Sequence, residues 1–153
     1  MPISIREAQA EDLEAIIRLH EEDSLGSHGD AWLPETKPAY EAAFAAIAAS
    51  PDNTLYVAEN EGRVVGTFQL TLIPNLTGRG ATRVKVESVK VKAARRSSGI
   101  GARMMAFAED HARAHGARAM ELTSNKTRRD AHRFYERLGF ARSHEGFKKK
   151  LTD

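Results

Sequence analysis

The stretch that most constrains this chain is residues 82–105, which reads as a strand, a basic glycine-rich turn and a helix. In the strand, Val84 and Val86 occupy even positions and Val89 and Val91 odd ones. Side chains alternate along a regular strand, so the two pairs would face opposite sides. Burying all four on one side requires an extra residue near Glu87-Ser88, a β-bulge of the kind that frees backbone groups and re-aims side chains. The alternative is a strand buried on both faces; the pattern favours the bulge. The turn is Arg95-Arg96-Ser97-Ser98-Gly99-Ile100-Gly101. Two glycines at the mouth of a helix let the backbone approach an anion, and the helix N-terminus supplies unpaired N–H groups and a favourable dipole.

Length and composition narrow what can surround this unit. A chain of 153 residues with 41% hydrophobic and 29% charged residues is expected to be one globular domain, residues 1–153. It has no cysteine, which removes disulfides, thiolate metal sites and a cysteine nucleophile. No apolar run is long enough to span a membrane, and Met1-Pro2-Ile3-Ser4 does not open a signal peptide, so a cytoplasmic location is expected. The net charge of +2 conceals an asymmetry. Residues 1–61 hold 3 basic and 13 acidic residues, and residues 62–153 hold 20 and 8, nets of −10 and +12. The basic part surrounds the glycine turn and favours a polyanionic ligand, whereas the acidic part could attract a cationic one.

Periodicity predicts a strand at Ile3–Arg6 and a helix over Glu11–Glu22 with Leu13, Ile16, Ile17 and His20 on one face. Residues 23–35 read as a loop with Gly26, Gly29 and Pro34, carrying His28 and Trp32. A second helix starts at a Thr36 cap and presents Tyr40, Phe44 and Ile47. Thr54–Glu59 and Arg63–Ile73 form a hairpin turning at Asn60-Glu61-Gly62, with Val64, Gly66, Phe68, Leu70 and Leu72 on one face. The helix after the glycine turn runs from about Gly99 to His115, with Met104, Met105, Ala108 and Ala112 inward. A strand over Ala117–Thr123 precedes a helix capped by Thr127 with Asp130 three residues on, whose inner face is Ala131, Phe134, Tyr135 and Leu138. Short strands at Phe140–Ser143 and Phe147–Leu151 complete the pattern.

Two nucleotide motifs fail on the glycine turn. A dinucleotide fingerprint needs a third glycine where Met104 stands, and no Gly-Lys-Ser/Thr of a P-loop is present. What remains, Arg96-Ser97-Ser98-Gly99-Ile100-Gly101 after Val89-Lys90-Val91, resembles the Arg/Gln-x-x-Gly-x-Gly/Ala motif of the GNAT superfamily of acyl-CoA-dependent N-acetyltransferases. A second match follows in the family's order: Ala131-His132-Arg133-Phe134-Tyr135-Glu136-Arg137-Leu138-Gly139-Phe140 resembles its aromatic helix ending in Tyr and then Gly-Phe. The resemblance covers residues 82–140. It implies an α/β (α+β) fold, a mixed and mostly antiparallel sheet of about seven strands flanked by four helices.

The resemblance also implies a chemistry. The N–H groups of Arg96, Ser97, Ser98, Gly99, Ile100 and Gly101 would cradle the pyrophosphate of acetyl-CoA. The backbone of Val89, Lys90 and Val91 would pair with the pantetheine arm and polarise the thioester carbonyl. Asn125 resembles the family's polar contact to pantetheine, although residues 125–130 depart from the common spacing. An amine must lose a proton before it attacks a thioester, and Glu87 resembles the family's base; otherwise it is a strand residue paired with Arg83 or Lys85. Tyr135 resembles the acid that protonates the leaving thiolate; otherwise it is a core tyrosine. Ser88 is a lesser candidate. His28 and Trp32 lie where relatives shape the acceptor pocket. His111 and His115 have a spacing that can bind metal, but no Glu-x-x-His pattern accompanies them and no metal is expected. The expected reaction is direct acetyl transfer to a small, cation-compatible primary amine in a ternary complex, with no nucleic-acid or membrane partner and with a homodimer compatible with the family. The alternatives are a non-catalytic acyl-CoA-binding regulatory module, a protein N-terminal or lysine acetyltransferase, and, from the pI near 9.0, a nucleic-acid binder lacking any recognition motif.

Overall fold

The computed structural model describes residues 2–22 and 28–152; Gly26, expected in the first long loop, lies outside them. The chain divides into two compact units, residues 1–122 and 123–153. The first holds a five-stranded sheet in sequential order: β1 (Ser4–Glu7), β2 (Asn53–Asn60), β3 (Arg63–Pro74), β4 (Thr82–Val91) and β5 (Ala119–Glu121). Pairing is antiparallel except for β4 with β5, which run parallel. The first unit also carries α1 (Leu13–Glu21), α2 (Lys37–Ala49), the single turn α3 (Thr77–Gly80) and α4 (Ile100–Ala114), and the second carries α5 (Arg129–Arg137). The class is the mixed, mostly antiparallel fold that the sequence implied.

Alternation decides which helix meets which face. Cross-strand partners Gly66–Val91, Leu70–Val86 and Leu72–Val84 put one row of apolar residues on a common face, to which Tyr56 and Phe68 belong. α4 packs there. Its Ile100, Met104, Met105, Ala108 and Ala112 are buried, and Phe107 meets Tyr56 edge-on with centroids 4.9 Å apart. Gly66 permits that approach: a Cβ at this position would stand 2.7 Å from Met104 Sδ. α1 lies on the opposite face. Asp12, in the 3-10 turn that leads into it, grips Arg6 with Nη1–Oδ2 and Nη2–Oδ1 distances of 2.7 and 2.9 Å. Arg6 pairs with Val57, one step out of phase with Ala58 and its partner Gly66. Leu13, Ile16, Ile17 and Leu19 are buried, each stabilising the unit by roughly 1.5–3 kcal/mol relative to an exposed position. α2 shares that side, since Phe44 and Leu13 line one cavity.

The β2–β3 hairpin turns at Glu61-Gly62, both with positive φ, the two-residue turn whose twist matches the strands. Several local expectations change. A register shift at Ala58/Glu59 makes Val65 the buried valine and leaves Val64 only half-buried. Thr36 takes the N-cap position of α2 but does not cap with its side chain; its hydroxyl donates to Ala31 O at 2.6 Å and accepts from Leu33 N–H at 3.0 Å. β5 covers three residues instead of seven, because it pairs with β4 only over Arg83–Lys85.

In the second unit, Thr127 does not cap α5. Asn125 Oδ1 instead accepts both Thr127 N–H (3.0 Å) and Thr127 Oγ1–H (2.8 Å), an Asx turn that competes with the capping box, and Asp130 pairs with Arg133. The helix ends with Gly139 N–H on Glu136 O and Phe140 N–H on Tyr135 O, a Schellman closure. Leu138, expected inward, is 39% exposed. Among the described residues no strand follows β5, so the count is five strands and five helices instead of about seven and four. Lys148-Lys149-Lys150 breaks any apolar alternation between Phe147 and Leu151, both of which are exposed.

Candidate active site

β4 carries the bulge that its valine phase implied. Gln69 pairs with Glu87 and Thr67 with Lys90, so Ser88 and Val89 stand opposite the single residue Phe68. The insertion puts Val89 and Val91 in phase with Val84 and Val86; Val84 and Val86 are buried, and Val89 and Val91 are half-buried. Ser88 has a φ of 54°, a left-handed conformation that costs a non-glycine residue about 1–2 kcal/mol. β5 pairs with β4 only over Arg83–Lys85, so that ladder ends before the bulge.

The strand runs directly into the glycine turn. A 3-10 turn over Ala93–Arg95 is followed by Arg96, Ser97 (φ 66°), Ser98 and Gly99 (φ 88°), all four of them exposed. Gly99 is the N-cap of α4, and a Cβ built on it would meet nothing within 4 Å. The turn therefore combines open space, a basic side chain and the N-terminus of a 15-residue helix, which fits a pyrophosphate. Two residues have roles that the sequence did not reveal. The Ile100 side chain is 2% exposed and anchors α4, so only its backbone is open to the turn. Arg95 reaches away to Asn60 Oδ1 (3.1 Å), and Asn60 in turn donates to Pro2 O (2.7 Å).

Glu87 lies on the other face of β4. Its Oε1 is 3.4 Å from Lys85 Nζ, and both side chains are partly exposed. The alternation that aims the valines inward puts Arg83, Lys85, Glu87 and, past the bulge, Lys90 on this second face. Lys90 is buried opposite Thr67. Arg83 Nε donates to Glu121 at 2.9 Å. On the neighbouring strands, Asn53 Oδ1 accepts from Gln69 Nε2 (3.2 Å) and Thr71 Oγ1 (2.7 Å). Gln69 and Thr71 are the cross-strand partners of Glu87 and Lys85, so a polar floor surrounds the carboxylate. Sequence reading missed this floor, although the alternation of Arg83, Lys85 and Glu87 with the valines carried its signal.

Trp32 donates its N–H to Glu21 Oε1 (2.6 Å) and stacks on Tyr40 at 6.1 Å. With Glu11, Glu14, Glu41 and Phe44 it lines a cavity of about 410 Å³. His28 is exposed and does not line that cavity. His111 and His115 lie against each other, ring centroids 4.2 Å apart, and His115 Nδ1–H donates to His111 O at 2.8 Å. Burial, then the neighbouring His115, lowers the His111 pKa from its usual value, with Glu7 opposing.

Tyr135 and Asn125 belong to the second unit. Tyr135 is half-buried on α5, flanked edge-on by Phe134 (5.1 Å) and Phe140 (5.7 Å). Burial raises its pKa above the usual 10, with Arg128 opposing, so the hydroxyl holds its proton at neutral pH. Asn125 has its carboxamide oxygen committed to Thr127, and its backbone carbonyl accepts from His132 Nε2 at 2.8 Å.

The chain is similar to known proteins in sequence and in fold. The acetyltransferase (GNAT) family profile matches residues 13–140. An aminoalkylphosphonate N-acetyltransferase of Salmonella typhimurium is 36% identical over 113 residues, covering 74% of this chain and 73% of that protein. The crystal structure of a transcriptional regulator from Bacillus halodurans C-125 is 37% identical, with a TM-score of 0.93 over 98% of this chain and 100% of that one. Glucosamine-6-phosphate N-acetyltransferase from Arabidopsis thaliana, at 19% identity, shares the fold with a TM-score of 0.81 over 99% and 100% of the two chains. With the family profile spanning most of the sequence, the chain belongs to the GNAT family and is an acetyl-CoA-dependent N-acetyltransferase.

Proposed function

We propose that this protein moves the acetyl group of acetyl-CoA to a small primary amine by direct attack in a ternary complex. The observation that carries the reading is the bulge at Ser88–Val89 in a strand that leads straight into the basic turn of α4. In this scheme the turn from Arg96 to Gly101 holds the pyrophosphate, and the backbone of Val89–Val91 pairs with pantetheine and polarises the thioester carbonyl. Glu87 accepts the amine proton, directly or through one water, and the amine nitrogen attacks the carbonyl carbon. The tetrahedral intermediate collapses by breaking the C–S bond, and Tyr135 protonates the thiolate. Asn125 is a further pantetheine contact in this scheme.

The acceptor we infer is an amine that also carries an anion. Lys85 and Arg83 share the face of Glu87 at two-residue steps, ~6.6 Å apart along a strand. A carboxylate for the ammonium and cations for a phosphonate suit such a zwitterion, and a relative bears the name aminoalkylphosphonate N-acetyltransferase. A cationic acceptor is the competing choice, favoured by Glu11, Glu14 and Glu41, which outnumber Lys37 around the cavity beside Trp32. Thiol release measured over aminoalkylphosphonates, amino acids, polyamines, aminoglycosides and peptides separates them. Lys85→Ala should raise KM for phosphonate acceptors about tenfold and leave polyamines unaffected, on the scale of one charge-assisted hydrogen bond. Selective turnover of polyamines would overturn the zwitterion assignment. Tight CoA binding with no thiol release for any acceptor would instead favour a regulatory acyl-CoA-binding module, the reading suggested by the similar protein called a transcriptional regulator. We infer a cytoplasmic location, which suits a reaction that draws on acetyl-CoA; no helix among the described residues is long and apolar enough to cross a membrane.

A further inference from the structure

α1 ends in two consecutive carboxylates, Glu21 and Glu22, where the helix dipole disfavours negative charge. Local propensity does not explain the pair, but its partners do. Glu21 Oε1 accepts the backbone N–H of Trp32 at 2.6 Å, while its Oε2 faces Arg18 Nη1 at 3.4 Å. Glu22 Oε2 accepts the backbone N–H of Ala93 at 3.3 Å, across 71 positions of sequence. Ala93 is the first residue of the 3-10 turn that leads into Arg96–Gly101, and its N-cap, Lys92, makes no side-chain capping bond. Glu22 therefore supplies in trans the cap that the local sequence lacks. The Trp32 segment is fixed from its other side, since Tyr40 stacks on the indole, accepts Ala31 N–H and donates to Asp30.

We propose that Glu21 and Glu22 are positioning residues that tie the two substrate sides to one helix end: Glu22 sets the cofactor turn, and Glu21 sets the acceptor-side segment at Trp32. Neither touches a reacting atom. The proposal rests on the reading above, in which the glycine turn holds CoA, and on the family resemblance, which implies that the Trp32 segment shapes the acceptor pocket. Both carboxylates work as acceptors of an N–H, so the hydrogen bond, and not the charge, is the working part. A glutamine keeps a side-chain oxygen of the same reach and should rescue, whereas alanine should not.

The test is titration calorimetry with CoA on the full chain, together with steady-state kinetics on the acceptor that gives the best turnover. Glu22→Ala should weaken CoA binding about fivefold, the scale of a lost cap, and Glu22→Gln should stay within about twofold of the original protein. Ala93→Pro removes the N–H without touching the carboxylate. Lys92 already has the extended ψ of 131° that a following proline demands. It should reproduce the loss, and the double variant Glu22→Ala/Ala93→Pro should add nothing further, because both changes break one bond. Glu21→Ala should raise the acceptor KM about fivefold while CoA affinity stays within about twofold. Unchanged CoA affinity in Glu22→Ala, failure of glutamine to rescue, or additive losses in the double variant would overturn the proposal while the CoA site stands. An original protein that binds no CoA would overturn the site assignment itself and the proposal with it.

Discussion

The ion-pair cluster under the start of α1 gives a prediction whose size follows from its geometry. Asp12 is 8% exposed and uses both oxygens on Arg6 (2.7 and 2.9 Å), and Oδ2 also accepts the Gln9 N–H at 2.7 Å. Asp12→Asn keeps the shape and removes the charge. Hydrogen bonds to charged groups contribute roughly 1.5–3 kcal/mol each, so three of them set a ceiling several times larger than the expected effect. Three facts reduce it. The Arg6 side chain is 38% exposed and so partly screened, Arg6 keeps Glu59 at 2.9 Å, and the asparagine retains one acceptor oxygen. The remaining loss is about 2 kcal/mol, and a chain of this length then melts about 4–8 °C lower. The pH dependence supplies the check. The Arg6 hydrogen bonds hold the Asp12 pKa below its usual 3.8. A carboxylate with a depressed folded pKa stabilises the fold above its unfolded pKa and loses that contribution as pH falls through the folded value. The gap between the original protein and Asp12→Asn, measured by urea unfolding, should therefore be full at pH 7 and shrink below pH 4. A gap under about 0.5 kcal/mol at pH 7, the range of an ordinary surface change, would refute the reasoning, as would a gap that is the same at pH 7 and pH 3.

Three further outcomes are expected. Tyr135→Phe and Glu87→Gln should each lower kcat about 10²-fold with CoA affinity kept, and the fall in rate above pH 10, where the buried phenol ionises, should vanish in Tyr135→Phe; unchanged rates in both would remove the acid and base assigned here. Gly99→Ala should cost about 1–2 kcal/mol in thermal unfolding, because φ is 88° and no neighbour crowds the new methyl, and should weaken CoA in calorimetry; wild-type stability would mean that the turn relaxes freely. Because the folded pKa of His111 is lowered, the unfolded chain binds its proton first, so stability should fall as pH drops through about 6.5 and level off below the folded value. His111→Phe should flatten that segment of the stability profile, and an unaltered slope would assign it to another group.

Much of this protein was legible in local pattern. The two valine pairs of β4, out of phase by one residue, identified the bulge because alternation is a property of the backbone itself. The helix face of Met104, Met105, Ala108 and Ala112, the Glu61-Gly62 turn and the Gly139 stop are likewise set by nearest neighbours along the chain. What the sequence could not show depends on partners far away in it. Val65 displaced Val64 from the core because β2 fixes the register of β3. Thr36 and Thr127 had the right spacing to cap, but competing acceptors and donors at Ala31, Leu33 and Asn125 engaged their hydroxyls. The Ile100 side chain became an anchor once α4 lay on the sheet, a role separate from the backbone contact expected of its N–H. Arg6–Asp12, Glu22–Ala93 and the Gln69 and Thr71 floor beside Glu87 exist only after the strands and α1 are brought together, whereas the Lys85–Glu87 pair, two positions apart on β4, was open to sequence reading. The sequence determined the backbone devices of the site, the bulge and the glycine turn, because these are local. Tertiary structure decided what those devices face and what holds them, because charge pairs and caps across the sheet follow from proximity that no spacing encodes.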